Sequence, residues 1–273
     1  MSSTIAPTSS RSRTARLAAA DVARLAAVFD RAAPPEVLPP AWHWGVLTEA
    51  APQGRIGSDG HPLRGDFMPD LAAPVRMFAG TRMLFHAPLR VDEITRLDES
   101  IGSVTRKSGS AGELTFVEVE RRFLQDDVLC VEETQTIVFR GLQRPTVPAV
   151  VPSPLEAQWR DEIRPDPVWL FRFSAATFNG HRIHYDRPYA IEVEFYPGLV
   201  VHGPLIALSL LEALHTRTDG AVLSQFTFRA MRPLFDTAAF HVCGRIDGDG
   251  VASLWAEAPD GGVAMTATAI LQR

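Results

Sequence analysis

Cysteine is nearly absent: the 273 residues include two, Cys130 and Cys243, far apart and each inside an apolar run. Neither count nor spacing suits a disulfide framework, a metal-ligand pair or a redox pair, so two buried thiols in a reducing cytoplasm are expected. No apolar run approaches the roughly 20 residues that a membrane-spanning helix needs, so no membrane role is expected. Basic charge is not in excess: Lys and Arg total 27 against 32 Asp and Glu, a net charge of −5 with a pI near 5.9. Phosphate backbones would go unneutralised, so nucleic acid is not an expected partner. A local arginine cluster would still suit a small anion. H-E-x-x-H, G-x-S-x-G and a Gly-rich phosphate loop are also missing.

What is present is enough apolar residue, 46% of the chain, to bury one large core or two smaller ones. Residues 1–16, rich in Ser, Thr and Arg, read as a disordered terminus. Leu17 to Ala32 carries apolar residues at helical spacing before Pro34-Pro35. Pro39 to Pro74 reads as an ordered, irregular stretch, and loops that long are often functional. Thr81–Pro88, Ile94–Lys107, Leu114–Gln125 and Asp127–Phe139 read as strands. The prolines at 145, 148, 152 and 154 mark residues 145–158 as a linker. Beyond it come a strand over Val168–Phe173, a polar segment over Ser174–Asp186, and a helix over Pro204–Thr216, apolar on nearly every side and therefore buried. Strands at Gln225–Arg229, Ala238–Ile246, Val251–Ala258 and Val263–Leu271 complete the chain.

The halves echo one another. Arg82 to Arg90 and Gln225 to Phe235 are each an apolar strand running into Pro-Leu and then an acidic turn. The order of elements implies a duplicated α+β unit, an antiparallel sheet wrapped around a helix, over residues 17–144 and 159–273. In the first copy the helix would be degraded, around Pro40 to Leu47.

Polar chemistry concentrates in Ser174–Asp186, which holds Asn179, His181, Arg182, His184, Tyr185 and Asp186. Imidazole suits proton transfer near neutral pH. Asn179 can hold a water or an acyl oxygen without titrating, and Gly180 permits a tight backbone path. Downstream, Tyr196-Pro-Gly-Leu-Val-Val-His-Gly-Pro204 enters the buried helix, where Gly203 offers a backbone N–H to a carbonyl oxygen. The three histidines His181, His184 and His202 leave metal ligation open beside acid/base catalysis, but H-x-x-H alone is a weak metal signal.

The runs Phe173–Ala190 and Tyr196–Leu205 resemble the MaoC-like hydratase/dehydratase families, nearest the branch acting on small branched dicarboxylyl-CoA thioesters such as mesaconyl-C4-CoA or itaconyl-CoA. Gly57–Pro62, Phe67–Pro69, Arg76–Gly80 and Phe85 extend the likeness through the first half. The resemblance implies a double hotdog fold and water addition across a double bond conjugated to a thioester. His184 falls on the motif's histidine. Asn179 falls where the motif has Asp, His181 where it has Asn, and Arg182 where it has Pro. The expected machinery is therefore His184 as base, Asn179 positioning water and Gly203 as oxyanion donor, with Asp186 or Tyr185 orienting His184. Substrate contacts are expected from His181, Arg182, Tyr185, Asp186, His202, Arg76 and Trp44. No metal or redox cofactor is implied. The partner is the acyl-CoA or acyl-carrier thioester itself, and duplicated hotdogs often assemble further into homo-oligomers. Two rival readings share the segment: a 3-hydroxyacyl-thioester dehydratase of fatty-acid or polyketide metabolism, and a non-catalytic acyl-CoA-binding hotdog.

Overall fold

The computed structural model describes residues 3–5, 9–34, 36–109, 112–142 and 149–272. Strands β1 (Ser3–Ile5) and β2 (Ser10–Arg16) precede helices α1 (Ala19–Val28) and α2 (His43–Val46). Strands β3 (Val75–Phe85), β4 (Ile94–Gly109), β5 (Gly112–Gln125) and β6 (Val128–Arg140) finish the first half. The second half holds β7 (Trp159–Ile163), α3 (Pro167–Ala176), α4 (Gly203–His215), β8 (Val222–Ala230), β9 (Phe240–Ile246), β10 (Val251–Glu257) and β11 (Val263–Gln272).

All the strands join one antiparallel sheet, ordered β1-β4-β5-β6-β3-β8-β11-β10-β9-β7, with β2 also on β4. The order is pseudo-symmetric: β4-β5-β6-β3 is mirrored by β9-β10-β11-β8. The two strands of the sequence repeat, β3 and β8, meet at the centre, pairing Gly80 with Arg229 through Leu84 with Gln225. The repeat is thus the seam of a double hotdog.

Helix α4 packs on β9, β10 and β11, and nearly its whole surface is buried, from Leu205 to Leu214. Each fully buried leucine there contributes roughly 1.5–3 kcal/mol. The first-half counterpart has shrunk to α2, a single turn. The completely buried Trp42 beside it donates its Nε1–H to Glu212 Oε1 on α4, 3.2 Å away. A second cluster, including Ile101, Val117, Val119 and Phe139, lies on the first-half sheet.

Three expectations need correction. Within residues 1–16, expected as a disordered terminus, Ser3–Ile5 forms β1 and Ser10–Arg16 forms β2, the latter in register with Ile94–Ser100. The pairing uses the main-chain groups of a sheet edge and the Arg11–Glu99 contact at 2.9 Å, so no apolar period announces it. Val168–Phe173 is helical, not a strand. Asp166 Oδ1 accepts the N–H groups of Val168 and Trp169 at 2.8 and 2.9 Å, and Pro167 opens the helix. The aromatic run had read as β, yet the buried positions 170, 173 and 174 have helical spacing. Finally, β7 pairs with β9, an edge strand the sequence pattern did not announce. Of the expected linker 145–158, residues 145–148 lie outside the described residues. Val151 is held by its carbonyl, which accepts from Val263 N–H at 2.8 Å. Cys130 and Cys243 are free and buried. Among the described residues, no helix is long and apolar enough to cross a membrane.

Candidate active site

Between the two halves lies a cavity of about 1040 Å³, reached by Trp44, Arg76, Asn179, His184 and Gly203, among others. Its rim carries the exposed side chains of Phe171, Phe178, Tyr185 and Met231.

The end of α3 sets one wall. The helix stops at Ala176, Phe178 turns into the left-handed region (φ 50°) and Asn179 N–H donates back to Ser174 O at 2.8 Å. Asn179 Oδ1 then accepts the His181 N–H at 3.0 Å. Its amide NH₂ donors are free to meet a ligand. One short 3₁₀ turn, Arg182–His184, carries His184 inward. A π-helical turn at Tyr189–Val193 follows, an irregularity frequent at functional sites.

His184 Nδ1 lies 2.7 Å from the Val200 carbonyl, so the ring hydrogen sits on Nδ1 and Nε2 is the lone-pair nitrogen. The ring stacks on His202 (centroids 3.6 Å, 17°) and meets His181 edge-on at 5.4 Å. Burial, reinforced by His202 and His181, holds the His184 pKa well below the ordinary 6.5. Burial likewise brings His202 down to about 3. Both rings are neutral at pH 7. The N-terminus of α4 stands alongside: Gly203 is its first residue and lines the cavity. The first N–H groups of a helix have no intrahelical acceptor.

Not every expected residue reaches the cavity. Tyr185, Trp44, Arg76 and His181 do. Arg182 and Asp186 do not: they bind each other at 2.7 Å on the surface, and Arg182 covers the Tyr189 ring at 4.2 Å. Asp186 caps Tyr189 N–H at 3.2 Å rather than touching His184. Tyr185 donates its hydroxyl to Gly180 O at 2.8 Å, so neither residue orients the imidazole; the Val200 carbonyl does. His202 lies behind His184, with Nε2 2.8 Å from Ser174 Oγ. His181 Nε2 is 3.3 Å from Glu194 Oε1.

The floor comes from the first half. Glu133, fully buried, accepts from Trp44 Nε1 at 2.7 Å and from Arg121 Nη1 at 3.1 Å. Burial pushes its pKa up, but His43 and Arg121 outweigh that and hold it near 2. Among the described residues, six arginines line the cavity: Arg11, Arg13, Arg55, Arg76, Arg121 and Arg232. Five have carboxylate partners: Glu49 and Glu99 for Arg11, Glu99 for Arg13, Asp66 for Arg55, Glu99 and Glu133 for Arg121, and Asp260 for Arg232. Among the described residues, no carboxylate stands within ion-pair distance of Arg76. Asp59 and Glu49 act on it at longer range, and burial lowers its pKa.

The sequence assigns no role to Asp59 and His61, which the long irregular stretch brings to the Ser174–Asp186 segment. Asp59 Oδ2 lies 3.0 Å from His61 Nδ1, and the His61 and His181 rings are 4.2 Å apart. Asp59, His61 and His181 place one potential ligand atom each within 4.8 Å of one another, a trio able to hold a cation. The signal available in sequence was the polar Gly57-Ser-Asp-Gly-His61 turn.

Residues 41–236 match the family model of hydroxyacyl-thioester dehydratase type 2. The chain is 48% identical over 236 residues to mesaconyl-C(4)-CoA hydratase of Chloroflexus aurantiacus, covering 85% of this chain and 82% of the relative. It is 26% identical over 231 residues to the mitochondrial hydroxyacyl-thioester dehydratase type 2 of Schizosaccharomyces pombe, covering 76% and 77%. In fold it resembles a MaoC-like dehydratase from Phytophthora capsici, with a TM-score of 0.73 at 14% identity over 97% of this chain and 95% of that one. Sequence motif, double hotdog fold and family match agree, and the chain belongs to the hydroxyacyl-thioester dehydratase type 2 family of MaoC-like hydratases and dehydratases, a family of hydro-lyases.

Proposed function

We propose that this protein adds water to the double bond of an α,β-unsaturated acyl-CoA whose acyl group carries a second carboxylate, a mesaconyl-C4-CoA type of substrate. The observation that carries the reaction is the fixed tautomer of His184: with Nδ1 given to Val200 O at 2.7 Å, Nε2 is a neutral base. It takes a proton from water as the water oxygen bonds to Cβ. The π electrons move toward the thioester carbonyl, where the Gly203 N–H stabilises the enolate oxygen, a contribution of roughly 3–4 kcal/mol in comparable sites. His184 then returns its proton to Cα. Asn179 presents its NH₂ donors to water or acyl oxygen. Proton transfer and oxyanion stabilisation both come from the chain, so this route uses no cofactor beyond the CoA carried by the substrate.

Arg76 supports the dicarboxylyl reading. A half-buried cavity guanidinium without an ion-pair partner among the described residues suits a ligand carboxylate. The 48% identity to a mesaconyl-C(4)-CoA hydratase points the same way. Dehydration of a 3-hydroxyacyl thioester is the same route reversed.

Hydration rates on mesaconyl-C4-CoA, itaconyl-CoA and crotonyl-CoA, followed by loss of enoyl-thioester absorbance, test the reading. Preference for a carboxylated substrate is expected. Preference for crotonyl-CoA would overturn the acyl-group assignment, and inertness toward all three would overturn the hydratase assignment.

A further inference from the structure

Asn179 occupies the place of a carboxylate, and its one acceptor atom is already engaged: Oδ1 takes the His181 N–H at 3.0 Å. A neutral amide with one lone pair of that oxygen already used cannot take a proton from water. A water aligned for attack has two hydrogens to place, and His184 Nε2 accepts just one.

The first half of the chain supplies an imidazole at this spot. His61 lines the same cavity as His184 and Asn179. Asp59 grips it twice, with Oδ2 3.0 Å from Nδ1 and Oδ1 accepting the His61 N–H at 3.0 Å. A carboxylate on Nδ1 leaves Nε2 as the acceptor nitrogen, as Val200 O does for His184. His61, His181 and His184 stand in sequence, their rings 4.2 and 5.4 Å apart.

The placement is built in. Arg182 N–H donates to Asp59 O at 2.9 Å and Arg182 Nη1 donates to Ser58 O at 2.9 Å. Gly60, at φ +90°, lies so close to Gly180 that a Cβ on it would fall 1.8 Å from the Gly180 carbonyl oxygen. The turn holding His61 is thus fastened to the residues on both sides of His181.

We propose that His61, oriented by Asp59, is a second catalytic imidazole given by the first half of the chain, its Nε2 accepting the hydrogen that the attacking water keeps. This role rests on the hydration reading above. The Cβ–O bond forms as the other O–H bond breaks toward His184 Nε2. The π pair moves to the enolate, and Cα takes its proton from His184. His61 neither gains nor loses a proton. Burial and the neighbouring His181 bring its pKa down to about 3, which keeps it an acceptor throughout. Burial pushes the Asp59 carboxyl up, but hydrogen bonds from His61 outweigh that and hold it below the usual range, as an anion.

The test measures kcat and KM of the full-length protein with mesaconyl-C4-CoA for wild type, His61→Ala and Asp59→Asn, with thermal midpoints as the folding control. His61→Ala is expected to lower kcat about 100-fold and change KM less than about threefold, with added imidazole restoring part of the rate. Asp59→Asn, which leaves both rings in place and removes only the charge fixing the tautomer, is expected to lower kcat at least about tenfold. A purely packing role would not respond to imidazole. Wild-type kcat in folded His61→Ala or Asp59→Asn, or a loss confined to KM, overturns the proposal. So does loss of wild-type activity on chelation that zinc restores, because Asp59, His61 and His181 would then be ligands. Wild-type inertness toward every unsaturated thioester overturns the hydratase reading and this role with it; wild-type turnover with an unimpaired His61→Ala overturns only the role of His61.

Discussion

The ring of His184 lies flat on that of His202, centroids 3.6 Å apart and planes 17° from parallel. Two buried imidazoles at that separation cannot both become cationic without strong repulsion, and neither ring has a carboxylate within ion-pair distance among the described residues. Burial, reinforced by the stack, therefore keeps His184 neutral. His202 Nδ1 is buried without a hydrogen-bond partner among the described residues.

Acid should weaken the fold through these rings. In the unfolded chain a histidine protonates near pH 6.5, whereas in the folded chain His202 and His61 do so only near 3. Between those values the unfolded state binds more protons, so stability falls as pH falls from about 6.5 to about 3, by up to about 1.4 kcal/mol per pH unit for each ring. Urea unfolding at pH 7, 6, 5 and 4 should show this slope, and His202→Asn should make it shallower. An identical slope in the variant would exclude His202 as a source.

Removing the base should remove turnover and leave the fold. His184→Ala is expected to lower kcat by roughly 10²–10⁴-fold, with far-ultraviolet circular dichroism unchanged. Near wild-type turnover in the folded variant would dismiss His184 as base. The pH profile of the wild type should be flat through neutrality, with an acid limb well below pH 6.5, the direction of the His184 shift.

Arg76 should decide which acyl group is accepted. Arg76→Met keeps much of the side-chain volume and removes the charge. A hydrogen-bonded charge is worth roughly 1.5–3 kcal/mol, so kcat/KM on mesaconyl-C4-CoA should drop about 10- to 100-fold. Crotonyl-CoA, lacking the carboxylate, should lose little. Equal losses on both would mean that Arg76 shapes the cavity without recognising the acyl carboxylate.

Gly60 should tolerate no side chain. Its φ of +90° and its approach to the Gly180 carbonyl combine left-handed strain with a backbone clash that no rotamer relieves. Gly60→Ala is expected to lower the thermal midpoint by several degrees and to reduce kcat, as the turn lifts away from Asn179 and His184. Differential scanning calorimetry together with the hydration assay would check both, and an unaltered midpoint would contradict the contact.

Much of this protein is dictated by local sequence. Alternating apolar residues set β3 to β6 and β8 to β11, because a two-residue period faces one side of a sheet to a core. The wholly apolar Leu205–Leu214 run sets a buried helix. The Ser174–Asp186 segment concentrates polar groups that suit acid/base catalysis or metal ligation, and its resemblance to a hydratase motif picks out His184. Helix α3 is hidden in the sequence because aromatic β-propensity masks the Asp166-Pro167 start, and β2 because a polar edge strand shows no hydrophobic period. What remained belongs to contacts between residues distant in the chain. Only the fold could give His184 its Val200 carbonyl and its stack on His202, send Arg182 and Asp186 outward to each other, and keep the carboxylates of the described residues beyond ion-pair distance of Arg76. Only the fold sets Asp59 and His61, more than a hundred residues upstream, against the turn that carries His184. Periodicity encodes which face of an element is buried. Which side chains then converge depends on how the two halves close across β3 and β8, and no local pattern carries that geometry.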